Sequence, residues 1–111
     1  MDSKNEPFEV EFTDACIEEM TENYEYISHN LKEDNIAKRL MTEVIDRVLD
    51  LANAPELYMK IGKVDRLKRE YHRMVVKNYV ILYTIDFEKR KVYISRMIYG
   101  RRNYLNLYWY G

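Results

Sequence analysis

The stretch YISRMIYGRRNY (93–104) runs from a strand-like alternation through Gly100 into two adjacent arginines. An arginine fork matches the oxygens of a phosphate and keeps its charge at any physiological pH. Arg96, Arg101 and Arg102, with Tyr99 and Tyr108 close by in sequence, are therefore suited to holding an anion. Three uses are open: a solvated strand end, a nucleic-acid contact, or a site. Upstream, His72 and Arg73 stand side by side, a base next to a cation that could serve proton transfer on a phosphate ester. His72 lies in a polar, basic stretch, however, and the simpler expectation is a solvated imidazole. His29 sits beside a loop and is expected to face solvent. Two histidines 43 positions apart and one cysteine make no zinc set. The glycines at 62, 100 and 111 are too scattered for a phosphate cradle. No cofactor or metal is implied. Cys16 lies among acids that disfavour its thiolate, and is read as a passive residue.

The elements that would position these residues show in the periodicity. PFEVEF (7–12) alternates Phe8, Val10 and Phe12 with Glu9 and Glu11, a short half-buried strand. Ile17, Met20, Tyr24, Ile27 and Leu31 then recur at spacings of 3, 4, 3 and 4, one face of a helix with Thr13 or Asp14 as N-cap. NLKEDN breaks the pattern, and Asp34 or Asn35 can cap a second helix. That helix carries a wide apolar stripe from Ile36 to Ala52 and is expected to end at Pro55. So short a connection predicts an antiparallel helical hairpin.

After Pro55 the period changes to two. RLKREYHRMVV (66–76) alternates, NYVILYTID (78–86) is nearly all apolar as a central strand should be, and RKVYISRMIY (90–99) follows a polar turn. Lys77-Asn78 is the other tight turn, with Asn78 expected to take the left-handed conformation. The expected order is β-α-α-β-β-β. That is an α+β domain with a helical hairpin on one face of a sheet, an antiparallel three-strand meander, and the first strand at an edge. Residues 1–111 are expected to form a single domain.

With 47% hydrophobic and 33% charged residues the chain is of globular composition. It has no apolar run of transmembrane length and no signal-peptide core, so a cytoplasmic location without membrane contact is expected. A lone cysteine accords with a reducing compartment. The net charge of −1 conceals a division. Residues 1–59 hold five Lys/Arg against fifteen Asp/Glu, and residues 60–111 hold thirteen against four. Either the C-terminal half addresses an anionic partner, or the halves neutralise each other across a shared surface.

Three stretches together resemble the RelE/ParE superfamily of bacterial type II toxins. They are YISHNLKEDNIAKRLMTEVIDRVLDLANAPE, YHRMVVKNYVILYTID and VYISRMIYGRRNY, and the likeness spans roughly residues 8 to 108. The resemblance implies a growth-inhibiting toxin with one of two targets. RelE-like members cleave messenger RNA on the ribosome, using basic residues and a C-terminal tyrosine; ParE-like members poison DNA gyrase. Either would be held inactive by a cognate antitoxin, in a toxin–antitoxin hetero-oligomer.

For the nuclease, the resemblance maps Arg102 and Tyr108 cleanly, six residues apart after Gly100 and Arg101. His72 and Arg73 map less surely. One position departs: RelE nucleases carry an arginine directly after the tyrosine that opens the central strand, and here that position is Val80. A missing phosphate donor costs such an enzyme several kcal/mol of transition-state stabilisation. The long second helix and SRMIYGRRNY instead resemble the ParE branch, which implies Arg96, Tyr99, Arg101 and Arg102 as the toxic corner. A ParE-like gyrase inhibitor is thus favoured over the ribonuclease, and a non-toxic nucleic-acid-binding module stands third. An antitoxin helix or strand is expected in an apolar groove beside the helical hairpin, with Tyr108, Trp109 and Tyr110 part of that surface.

Overall fold

A computed structural model describes residues 6–100. Strand β1 (Glu9–Phe12) precedes helix α1 (Asp14–Glu25), a π-helical turn (Tyr26–Asn30) and helix α2 (Asp34–Asp50). Four strands complete the order: β2 (Lys60–Val64), β3 (Glu70–Val76), β4 (Tyr79–Asp86) and β5 (Lys91–Tyr99). The sheet runs β1-β5-β4-β3-β2, with β1 parallel to β5 and the other pairs antiparallel. The α+β architecture matches the expectation, with one strand more.

That strand is β2, which makes the meander four-stranded rather than three-stranded. KIGKV lacks a β-branched alternation, and Gly62 adopts φ +77° inside it. Lys60 pairs with His72 and Val64 with Glu70, so a bulge at Gly62 absorbs the mismatch in strand length. An edge strand interrupted in this way carries too little period-two signal to be seen in sequence.

Thr13 is the N-cap of α1: its Oγ1 accepts from Cys16 N at 3.1 Å. The predicted stripe is only partly right. Cys16, Met20, Tyr24 and Ile27 contribute to the core, whereas Ile17 and Leu31 are 51% and 52% exposed. Cys16 takes the first inward position. The π-turn, closed by Leu31 N donating to Tyr26 O at 3.1 Å, then rotates the end of the helix out of phase. In α2, Ala37, Leu40, Val44 and Val48 are buried at helical spacing, while Ile36 and Ile45 face solvent. Neither Asp34 nor Asn35 is its N-cap; Glu33 holds that position, and Asp34 accepts instead from Ser28 Oγ. Pro55 does not end the helix, which stops at Asp50; its carbonyl accepts from Tyr83 Oη at 2.9 Å.

The main core lies between the helices and the sheet, where Met74, Val76, Ile81, Tyr83, Val92, Ile94 and Met97 meet α1 and α2. A second cluster of Val80, Leu82 and Ile98, flanked by Ile61, Tyr71 and Val75, occupies the opposite face. Residues directly opposite in a ladder share a face, and successive residues alternate. The left-handed residue of the β3–β4 turn is Lys77 (φ 54°) and not Asn78. No helix among the described residues is long and apolar enough to cross a membrane.

Candidate functional site

At the exit of β5, Gly100 turns the chain with φ +90° while its N–H still donates to Asn78 O at 2.7 Å. A residue with a Cβ is strained there, so the break read from sequence is a real change of direction. Arg96, four residues earlier, is held from two sides by one carboxylate. Its Nε donates to Glu19 Oε1 at 2.8 Å and its Nη2 to Glu19 Oε2 at 2.6 Å. Such a bidentate fork is the strong form of the ion pair, and both side chains are less than one-third exposed. Tyr99 is exposed, with its ring edge-on to Tyr79 at 5.3 Å. Arg101, Arg102 and Tyr108, like Trp109 and Tyr110, lie outside the described residues.

His72 and Arg73 occupy opposite faces of β3. His72 is not solvated: it is 4% exposed, stacks on Tyr83 at 5.0 Å, and shares a 2.8 Å hydrogen bond between Nδ1 and Tyr58 O. Of its sequence neighbours Tyr71 and Arg73 lie on the other side of the strand, and the ring itself is covered by Tyr83 and the Tyr58 carbonyl. Arg73 pairs across with Leu82, on the face of Tyr71, Leu82 and Ile98. Burial, and then the Asp65 carboxylate, hold the Tyr71 phenol above its usual pKa. Val80, 0% exposed, sits within that apolar cluster. The sheet therefore does not bring His72 and Arg73 together around one substrate.

The charge division is partly closed within the molecule. Lys91 reaches Glu9 and Glu11 at 4.0 and 3.7 Å, Lys77 reaches Glu43 at 3.7 Å, and Arg96 takes Glu19. In sequence Glu19 is one of several acids on α1. Glu18, Glu22 and Glu25 are exposed, but Glu19 turns inward. Nothing local marks it, because its partner is 77 residues away.

Beside the hairpin runs an apolar groove of ≈ 770 Å³, lined by Tyr26, Ile27, Leu31, Ile36, Leu40, Tyr79 and Tyr99 and rimmed by Arg39, Glu43 and Lys77. Four of these apolar residues are half exposed or more: Tyr26, Leu31, Ile36 and Tyr99. Burial, and then neighbouring Tyr99, keep the Tyr79 phenol protonated above its usual range. Cys16 is no nucleophile. Burial, reinforced by Glu19, pushes its thiol up to about 12, so almost none is thiolate near neutrality.

This arrangement of helical hairpin and sheet has relatives. A family model described as the ParE toxin of the type II toxin–antitoxin system, parDE, matches residues 10–104. The chain belongs to the ParE toxin family. Among solved structures, the ParE-family fold seen here is similar to a chain of the toxin–antitoxin complex RelBE2 from Mycobacterium tuberculosis. That match has 22% identity and a TM-score of 0.59, covering 88% of this chain and 97% of that one. A chain of the archaeal RelE–RelB complex from Pyrococcus horikoshii OT3 is similar at 13% identity and a TM-score of 0.53, covering 86% and 98%. At these identities the two structures speak for the fold alone. No curated protein sequence matches the chain.

Proposed function

We propose that this ParE-family chain arrests bacterial growth by interfering with DNA gyrase in the cytoplasm, and that a cognate antitoxin silences it. The observation that carries the gyrase reading is Val80. The position at which RelE nucleases carry a phosphate-binding arginine is filled by a valine at 0% exposure, packed with Leu82 and Ile98. A cation there would have to be buried without a partner, at a cost of several kcal/mol. The separation of His72 from Arg73 by the thickness of the sheet supports the same reading, since a general base and a phosphate cation must reach one ester. Arg96, Tyr99, Arg101 and Arg102 make up the corner assigned to the target, with Tyr99, Arg101 and Arg102 as its contacts and Arg96 held on Glu19 behind them. The antitoxin is assigned to the groove at Tyr26, Leu31, Ile36 and Tyr99, where apolar surface is left half exposed. An exposed apolar patch rimmed by charge is the usual mark of a protein interface.

Expression of the chain alone, with assays on the purified protein, tests this. Inhibition of gyrase supercoiling with induction of DNA damage is the expected result. Ribosome-dependent cleavage of messenger RNA, with supercoiling untouched, would overturn it in favour of the nuclease. Healthy growth would remove the toxin reading altogether.

A further inference from the structure

The end of β5 is an edge that the sheet itself does not close. β1 stops at Phe12, which pairs with Ile94, and β5 runs on to Tyr99 with only β4 beside it. Gly100 N donates to Asn78 O, so by the alternation of an antiparallel ladder the main-chain groups of 96, 98 and 100 face β4. Those of 95, 97 and 99 face the vacant side. There α1 takes the place of a strand. Thr13 Oγ1 donates to Ser95 O at 3.2 Å, Met97 N donates to Glu19 Oε1 at 3.1 Å, and Asn23 Nδ2 donates to Met97 O at 3.1 Å.

Glu19 thus performs two tasks with one carboxylate. It receives the Met97 amide, closing the edge, and it receives the Arg96 fork from the adjacent residue. The register jump between Leu82 and Tyr83, which passes over Ser95, makes this possible. The bulge leaves Ser95 without a β4 partner and places Arg96 opposite Leu82, one residue from the edge amide that Glu19 also holds. Three donors converge on the two oxygens, a satisfied arrangement that leaves little freedom to the last stretch of backbone before Gly100.

The geometry points to Glu19 as a positioning residue for the corner: it holds Arg96 and the β5 edge in the arrangement that target contact requires, and Arg96 acts through this clamp rather than by touching the target. The inference rests on the toxin reading. It makes α1, usually counted only as a cover for the core, part of the toxic apparatus. It also separates Arg96 from the arginines beyond Gly100, with which sequence alone groups it.

The two roles for Arg96 predict opposite results when Glu19 is removed. Glu19→Ala leaves Arg96 in place but without the clamp, so a direct contact would keep or gain toxicity, whereas a clamp would lose it. The expected result is about tenfold weaker growth arrest on expression without antitoxin, as loss of charge-assisted hydrogen bonds implies. Glu19→Gln keeps an acceptor for Met97 N and is expected to recover most of that loss. The paired change Glu19→Gln with Arg96→Gln, a neutral clamp, is expected to stay within about threefold of wild type, while Arg96→Gln alone is impaired about tenfold. Thermal melts of each variant, with arrest scored at a temperature well below the melting point, separate misfolding from misplacement. Hydrogen exchange of the Met97 amide reports the clamp directly and is expected to quicken in Glu19→Ala.

Undiminished arrest by a folded Glu19→Ala overturns the inference and leaves the toxin reading intact. So does a neutral pair as inactive as Arg96→Gln, which would make Arg96 a target contact. A wild-type chain that leaves growth unchanged overturns both.

Discussion

The two faces of the sheet treat the same kinds of residue in opposite ways. On the helix-covered face His72 is locked between Tyr83 and the Tyr58 carbonyl, and Tyr83 itself is fully buried with its hydroxyl on Pro55 O. On the other face the basic and aromatic side chains surround a small apolar cluster: Arg69 lies 4.8 Å over the Tyr93 ring, and Tyr71 flanks Val80, Leu82 and Ile98. Residues one apart in sequence, such as His72 and Arg73, therefore differ more than residues on different strands. Polar character in a strand says little about solvent until the face is known. Chemistry assembles across neighbouring strands of one face, not along a strand.

The sharpest way to break the comparison is at Tyr83. Tyr83→Ala removes a fully buried ring, the stacking partner of His72 and the donor to Pro55, and is expected to cost about 4 kcal/mol. Urea unfolding measures it; a loss below about 1 kcal/mol would mean that the helix-covered face is not the main core.

Val80→Arg tests the other face by restoring the cation of the nuclease pattern. With Val80 enclosed by Leu82 and Ile98, the variant is expected to lose about 3 kcal/mol and to gain no ribosome-dependent cleavage. A stable Val80→Arg protein that cuts messenger RNA would reverse the functional proposal as well as the packing account.

A smaller contrast comes from neighbours. His72→Ala leaves the Tyr58 carbonyl and the Tyr83 ring without their partner and is expected to cost about 2 kcal/mol. Arg73→Ala on the opposite face should cost about 0.5 kcal/mol. Equal losses would erase the distinction between the faces.

Near neutrality the expected effect of pH is the smallest of all, and it grows only in the alkaline range. The folded thiol of Cys16 titrates at about 12 rather than 9.0, and the Tyr83 phenol at about 12 rather than 10.0, both chiefly because burial disfavours the charged form. Raised folded pKa values leave stability unaffected up to about pH 8, where both states are protonated. Stability is then lost as pH climbs from the unfolded values towards 12, because only the unfolded chain releases its protons. Native Cys16 should correspondingly resist alkylation at pH 8, and rapid labelling without unfolding would contradict its burial.

Much of the fold is legible along the chain. β4 announces itself in NYVILYTID because a central strand is apolar on both faces, and α2 because its inward residues repeat at helical spacing. β2 is not legible, since its bulge at Gly62 interrupts the alternation and its place is set by pairing with β3. The site divides in the same way. Gly100 is visible as a break and Val80 as a departure from the nuclease pattern, but the inward turn of Glu19 is visible nowhere in EEMTENYE.

By itself the sequence carried the likeness to the family, and it determined the α+β class, both helices and strands β1, β3, β4 and β5 in order, because these elements depend on periodicity within short windows. Only the tertiary structure decided that His72 and Arg73 part company across the sheet, and that Glu19 closes the β5 edge while holding Arg96. The first depends on which face the helices cover. The second depends on a contact between residues 77 apart, made only because β1 ends early and α1 crosses the edge it leaves open.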